Sequence, residues 1–113
     1  MVRFQPKRHP GNGPERKIQD DIKRLLRMHE WHVMETHGNI YQTGFPDLYA
    51  THARYGPRWI EVKNLTNYAF TPAQKVQFPK MCANGSGVWV LVAATTSEYN
   101  KLFKPFNWWH YLK

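Results

Sequence analysis

Two acidic residues and a lysine in the middle of the chain, Asp47, Glu61 and Lys63, are of types that could do chemistry together. Asp47 follows Pro46, and one valine separates Glu61 from Lys63. Alternate residues of a strand point to the same side, so Glu61 and Lys63 share a face if this segment is extended. Two carboxylates and a strand carbonyl could hold a hard divalent cation beside a phosphodiester, with the ammonium nearby. The alternative is that these residues are solvated charges on a hairpin.

The segments that carry these residues predict a β-hairpin. Strands are expected over residues 47–51 and 58–63, with a turn at Gly56 between them. Antiparallel pairing of the two strands would bring Asp47 alongside Glu61. The spacing therefore permits the two carboxylates and the lysine to converge.

The elements around the hairpin follow from hydrophobic spacing and helix caps. Apolar residues three and four apart predict a first helix over about residues 15–30. Thr71 and Gln74 have the spacing of a capping box at the start of a second helix, which Pro79 is expected to kink or end early. The apolar run 88–94 is typical of a strand buried on both faces. Because a helix precedes that strand, we expect it to lie parallel to the second hairpin strand.

A further strand over residues 31–36 completes the order helix, three strands, helix, strand. This order predicts an α/β domain with a mixed central sheet flanked by helices. The chain of 113 residues is short enough for a single domain, expected over 15–113, whose last part, 95–113, would be a helix and an aromatic tail. Residues 1–14 are rich in proline, glycine and basic side chains and predict a flexible basic arm.

Composition favours a polyanionic partner. The chain has 16 Lys and Arg against 8 Asp and Glu, a formal net charge of +8, so nucleic acid is the first candidate. No apolar run is long enough to cross a bilayer, and the N-terminus lacks the apolar core of a secretory signal. Cys82 is the only cysteine, which suits a reducing compartment. We therefore expect a cytoplasmic protein that does not bind membranes.

The motif Pro46-Asp47 followed by Glu61-Val62-Lys63 resembles that of the PD-(D/E)XK nuclease superfamily. Within it, the chain is most similar to the virus-type replication-repair nucleases (VRR-NUC), relatives of Holliday-junction resolvases. The resemblance covers about residues 15–94 and implies a restriction-endonuclease-like αβββαβ core. The segments that carry it are ERKIQDDIKRLL, TGFPDLY, WIEVKN, TPAQKVQF and GVWVLV.

The resemblance implies a role for each residue of the motif. Asp47 and Glu61 would be metal ligands, with the backbone carbonyl of Val62 as a third, and Lys63 would be the catalytic lysine. The ion would be Mg²⁺, with Mn²⁺ able to substitute, and no small-molecule cofactor is expected.

Two further residues have roles that the resemblance implies and that the sequence leaves open. Glu15 would reach the metal directly or through water, but an acid in the first turn of a helix also complements the helix dipole. Gln74 would lie beside the active site, but the capping box is a competing assignment.

These features together predict a Mg²⁺-dependent DNA endonuclease that acts on branched DNA such as four-way junctions. Resolution of a four-way junction needs two cuts, so a homodimer is expected. A sequence-specific endonuclease of homing or restriction type is one alternative. A non-catalytic DNA-binding module on a nuclease-like fold is another.

Residues with a predicted role in DNA binding lie on the basic arm, the first helix and the loop before the motif. Each could instead be solvated, or could order its own segment. The candidates are Lys7, Arg8, Lys17, Arg24, Tyr41 and Thr43.

Overall fold

The computed structural model describes residues 13–36, 44–66 and 68–112. Within these ranges, no helix is both long and apolar enough to pass through a lipid bilayer. The elements, in chain order, are α1 (Pro14–Met28), β1 (His32–Glu35), β2 (Leu48–His52), β3 (Gly56–Val62), α2 (Pro72–Ala83), β4 (Val88–Leu91) and α3 (Thr96–Asn100), with 3₁₀ turns at Lys101–Phe103 and Trp108–Tyr111.

The strands of the described residues form one mixed sheet in the order β1-β2-β3-β4. Strands β1, β2 and β3 are antiparallel neighbours, whereas β3 and β4 are parallel and are connected through α2. The predicted element order and the parallel pair are confirmed. The fold is therefore a mixed α/β domain with a four-stranded sheet.

The register of the β2–β3 hairpin decides which side chains meet. Gly56 lies opposite His52 at the turn and has a φ of +80°, a conformation that glycine adopts without steric cost. Leu48 lies opposite Ile60 at the other end. Continued by one residue, this register places Asp47 opposite Glu61.

The two faces of the sheet are covered by different helices. On one face, Ile22 and Leu26 of α1 pack with Ile60 and Val62 of β3. The other face carries a mostly aromatic cluster to which α2, β4 and the C-terminal tail contribute. Its buried members are Phe70, Phe78, Val88, Val90 and Trp108. Part of the aromatic tail is therefore a component of the core.

Helix α2 corrects the expectation of an early end at Pro79, because the helix continues to Ala83. A proline inside a helix removes one backbone hydrogen bond, whose acceptor here would be the carbonyl of Lys75. Lys75 and Pro79 are both exposed, so this carbonyl can be hydrated. Phe78, next to the proline, is fully buried against Phe70 and Trp108, and this packing keeps the helix on the sheet.

Strand β4 is shorter than the predicted run to residue 94, because it ends at Leu91. The next amide, Val92 N–H, donates to Glu98 Oε1 at 3.0 Å instead of to a strand. Thr95 then caps α3, since its hydroxyl accepts the N–H of Glu98. A side-chain acceptor thus ends the strand while the sequence is still apolar.

Candidate active site

Asp47 is held at the edge of the hairpin by hydrogen bonds from both neighbouring strands. Its Oδ2 accepts the backbone N–H of Val62 at 2.8 Å, and its backbone carbonyl accepts the N–H of Thr36 at 2.9 Å. The hydroxyl of Thr36 also donates to the carbonyl of Pro46. Asp47 is only 7% exposed. The Pro-Asp pair is therefore fixed at the end of β2, next to the last residue of β3.

Gly44 allows the segment before this pair to approach α2. Its φ is +87°, and a Cβ at this position would lie 2.8 Å from the backbone carbonyl oxygen of Ala73. Any other residue would collide with the first turn of α2. The sequence gives no local signal for this contact, because the helix follows much later in the chain.

Glu61, Lys63 and Gln74 form a buried polar network on the α2 face of β3. Lys63 Nζ lies 3.0 Å from Glu61 Oε2, which also accepts a hydrogen bond from Gln74 Nε2 at 2.9 Å. Gln74 Oε1 accepts from Lys63 Nζ at 3.3 Å. Glu61 is 2% exposed and Lys63 5%, so these residues are not a solvated strand face. The structure brings together the residues that the motif predicts.

The Lys63 ammonium has two further neighbours that the sequence did not identify. It donates to the backbone carbonyl of Ala69 at 2.8 Å and lies 4.6 Å from the centre of the Phe70 ring. Its three N–H groups thus face three acceptors, the oxygens of Glu61, Gln74 and Ala69. Any residue can supply a backbone carbonyl, so the sequence cannot predict the contact with Ala69. An aromatic residue shortly after the lysine is a weak signal for the ring contact.

Gln74 forms the expected capping box and also contacts two residues of the motif. Thr71 and Gln74 form a complete capping box, in which Gln74 Oε1 accepts the N–H of Thr71 at 3.0 Å and Thr71 Oγ1 accepts the N–H of Gln74 at 3.1 Å. The same amide contacts Glu61 and Lys63. The helix cap therefore orients the amide toward the carboxylate.

Burial and like charge raise the pKa values of both acids. Burial first, and then the Glu61 carboxylate, raise the pKa of Asp47 well above its usual range, although the Val62 N–H opposes this. Burial also raises the pKa of Glu61, and the Lys63 ammonium limits that increase. Glu15 adds to the repulsion at both acids. Carboxyl groups with raised pKa values occur at functional sites and in buried ion networks.

The donor set suits a small hard cation. In the part of the chain that the structure describes, Glu61 Oε1 is buried without a hydrogen-bond partner, as is the side-chain amide of Gln19 on α1. A divalent ion would satisfy that oxygen and offset the repulsion between Asp47 and Glu61. Among the described residues, no three His, Cys, Asp or Glu are grouped closely enough to hold a metal. Mg²⁺ commonly uses only one or two carboxylates and keeps several waters, so the residues fit it.

Two of the predicted DNA-binding residues lie on α1 with acidic partners. Lys17 Nζ is 3.0 Å from Asp21 Oδ2, and Arg24 Nη2 is 2.8 Å from Asp21 Oδ1. Hydrogen bonds from Lys17 and then Arg24 lower the pKa of Asp21. A surface cleft beside them is lined by Asp20, Lys23, Arg24, Arg27 and Met28. The remaining candidates, Lys7, Arg8, Tyr41 and Thr43, lie outside the described residues.

Comparison with known proteins gives no match to a family model, a curated protein or a solved structure.

Proposed function

We propose that the protein is a Mg²⁺-dependent DNA endonuclease that hydrolyses phosphodiester bonds. The observation that carries this proposal is the position of the Asp47 carboxylate beside Glu61, at the Val62 N–H, with Lys63 and Gln74 bound to the second acid. Two repelling carboxylates, one with an oxygen that has no partner among the described residues, are costly to bury in a domain that needs them only for structure. The observed order of helices and strands is the one expected of a restriction-endonuclease-like core.

Asp47, Glu61 and the carbonyl of Val62 would hold the ion, with Glu15 contacting it directly or through water. When bound, Mg²⁺ supplies positive charge to the scissile phosphate and lowers the pKa of the attacking water. The Val62 N–H fixes the Asp47 carboxylate, and Gln74 fixes Glu61, so both acids are oriented before any ion arrives.

Lys63 would contribute charge rather than take up a proton. Its three N–H groups are aimed at oxygen atoms of the protein. The ammonium can replace one of these acceptors by a phosphate oxygen. The contact with Glu61 keeps the ammonium within reach of the ion site. Orientation of the phosphate and of the nucleophile is therefore its proposed role.

DNA with a branch is the proposed substrate. The net charge of +8 favours a polyanion, and a domain this small offers little surface for reading base sequence, so shape recognition through the backbone is favoured. Paired cuts at a four-way junction would be made by a homodimer.

Cleavage of end-labelled duplex, single-stranded, flap and four-way DNA in Mg²⁺, in Mn²⁺ and in EDTA tests the proposal. Wild type is expected to cut only with metal, and Asp47→Asn should reduce the rate by about 10²–10⁴-fold. Glu98→Gln is a matched control, because Glu98 is also buried and also accepts a backbone N–H at the end of a strand. This control should cut at nearly the wild-type rate.

The same experiment distinguishes the proposed function from its two alternatives. Discrete cuts at one site in duplex DNA would favour a sequence-specific endonuclease. Binding of branched DNA without cleavage in any metal would favour a non-catalytic module. If Asp47→Asn and Glu98→Gln cut equally well, the assignment of the site is wrong.

A further inference from the structure

A small cleft opens beside the Lys63 ammonium, between the segment that follows β3 and the C-terminal tail. Its volume is about 80 Å³, and it is lined by Tyr68, Ala69, Phe70, Lys75 and Tyr111. Small-molecule pockets start at about 300 Å³, so this cleft is too small for a cofactor and could receive the edge or face of one flat ring.

The cleft and the proposed active site share two residues. Ala69 lines the cleft and accepts a hydrogen bond from Lys63 Nζ at 2.8 Å. Phe70 also lines it, and its ring centre is 4.6 Å from the same nitrogen. A nucleotide whose phosphate contacts Lys63 would therefore have the cleft next to it.

The aromatic rings of the cleft are held in place by their neighbours. Tyr68 makes edge contacts with Phe70 and with Tyr111, each with ring centres 6.2 Å apart. The hydroxyl of Tyr111 lies 2.7 Å from Lys101 Nζ. Rings fixed in this way lose little side-chain entropy when a ligand packs on them.

We propose that this cleft binds one unpaired base of the DNA substrate, next to the phosphate that is cut. Tyr68 and Tyr111 supply the stacking surface, and the exposed Lys75 on the rim supplies a cation for the adjoining phosphate. Aromatic stacking needs an accessible base face, which an intact duplex does not present. This inference rests on the proposed function and narrows it to branches that leave a base unpaired.

The charge of the cleft favours a nucleotide over an apolar partner segment. Among the described residues that line it, Lys75 is the only charged one and is positive, and Lys63 donates a hydrogen bond to Ala69 in its wall. An apolar peptide would leave Lys75 unmatched, whereas a nucleotide offers both a ring and an anion.

The test measures binding rather than cleavage. Flap DNA carrying 2-aminopurine at the unpaired position next to the branch is titrated with protein in the Asp47→Asn background, in Ca²⁺. Stacking should quench the fluorescence. Tyr111→Leu should remove the quenching and weaken binding by about 5- to 100-fold, whereas Tyr111→Phe, which keeps the ring, should preserve both.

The same flap with an abasic site at that position separates a base contact from a folding defect. Tyr111→Leu and the parent should bind abasic DNA equally well, because the lost interaction needs the base. Equal weakening on both DNAs, or quenching that survives Tyr111→Leu, would overturn the proposal. Since no step requires catalysis, an inactive wild type would refute the proposed nuclease and leave this result standing.

Discussion

Two buried carboxylates each accept a backbone N–H at the end of one of the two parallel strands. They differ in the charged groups that surround them. Asp47 Oδ2 accepts the N–H of Val62, the last residue of β3, and Glu98 Oε1 accepts the N–H of Val92, the first residue after β4. The second oxygen of Glu98 lies 2.6 Å from Lys101 Nζ. Partial burial works against the charge of this lysine, but hydrogen bonds to Glu98 and Tyr111 raise the pKa of Lys101 above its usual value.

Asp47 has no comparable balance of charge. A second acid, Glu61, is close enough to repel it, and the ammonium of Lys63 is bound to that acid. The pKa of Asp47 is consequently raised by burial and by repulsion, and Glu61 Oε1 has no partner among the described residues. One lysine neutralises Glu98, whereas the excess negative charge near β3 is the reason for proposing a cation there.

The largest expected difference between the two carboxylates is in their response to Mg²⁺. At an ion concentration 100 times its dissociation constant, the free energy of unfolding of wild type should rise by about 2.7 kcal/mol. Glu98→Gln should be less stable without Mg²⁺, because Lys101 loses its ion pair. Its gain in stability on adding Mg²⁺ should nevertheless be nearly that of wild type. Asp47→Asn should show little gain. Urea unfolding with Mg²⁺ and with EDTA measures all three.

An equal Mg²⁺ gain in Asp47→Asn and wild type would contradict the assignment of the ion to this site. A loss of the gain in Glu98→Gln would instead place the ion near α3.

The residues of this comparison show how far sequence reasoning reaches. Strand periodicity and the hairpin turn placed Asp47, Glu61 and Lys63 together, because both are local and depend only on residue spacing. The partners of Glu98 were not predicted. Strand β4 ends within an apolar run, and the acceptor of the next N–H, that of Val92, lies six residues after Val92. The contact of Ala69 with Lys63 was missed because any residue can supply a backbone carbonyl.

A smaller difference is expected in the dependence of stability on pH without metal. The folded-state pKa values of Asp47 and Glu61 are raised, so above about pH 4 the native state holds protons that the unfolded state has released. Stability should therefore fall as the pH rises from about 4 to the raised pKa values, by about 1.4 kcal/mol for each unit of increase in a pKa. Asp47→Asn removes the part of this loss that comes from Asp47, whereas the part from Glu61 remains, because burial is the main cause of the raised pKa of Glu61. Its stability relative to wild type should increase with pH in EDTA.

Urea unfolding between pH 4 and 8 measures this difference. Equal pH dependence of the stability of Asp47→Asn and wild type would show that the pKa of Asp47 is not raised in the native state.

The smallest expected difference concerns Thr71 and Thr95, which cap helices α2 and α3. Thr71 Oγ1 accepts the N–H of Gln74, and Thr95 Oγ1 accepts the N–H of Glu98. Replacement of either threonine by alanine should cost about 1 kcal/mol of stability. Only Thr71→Ala should also slow cleavage, because Gln74 orients Glu61 and the cap orients Gln74, whereas Glu98 has no partner in the proposed site. Single-turnover rates at saturating DNA measure this, and equal rates for the two variants would show that the cap stabilises α2 without positioning Glu61.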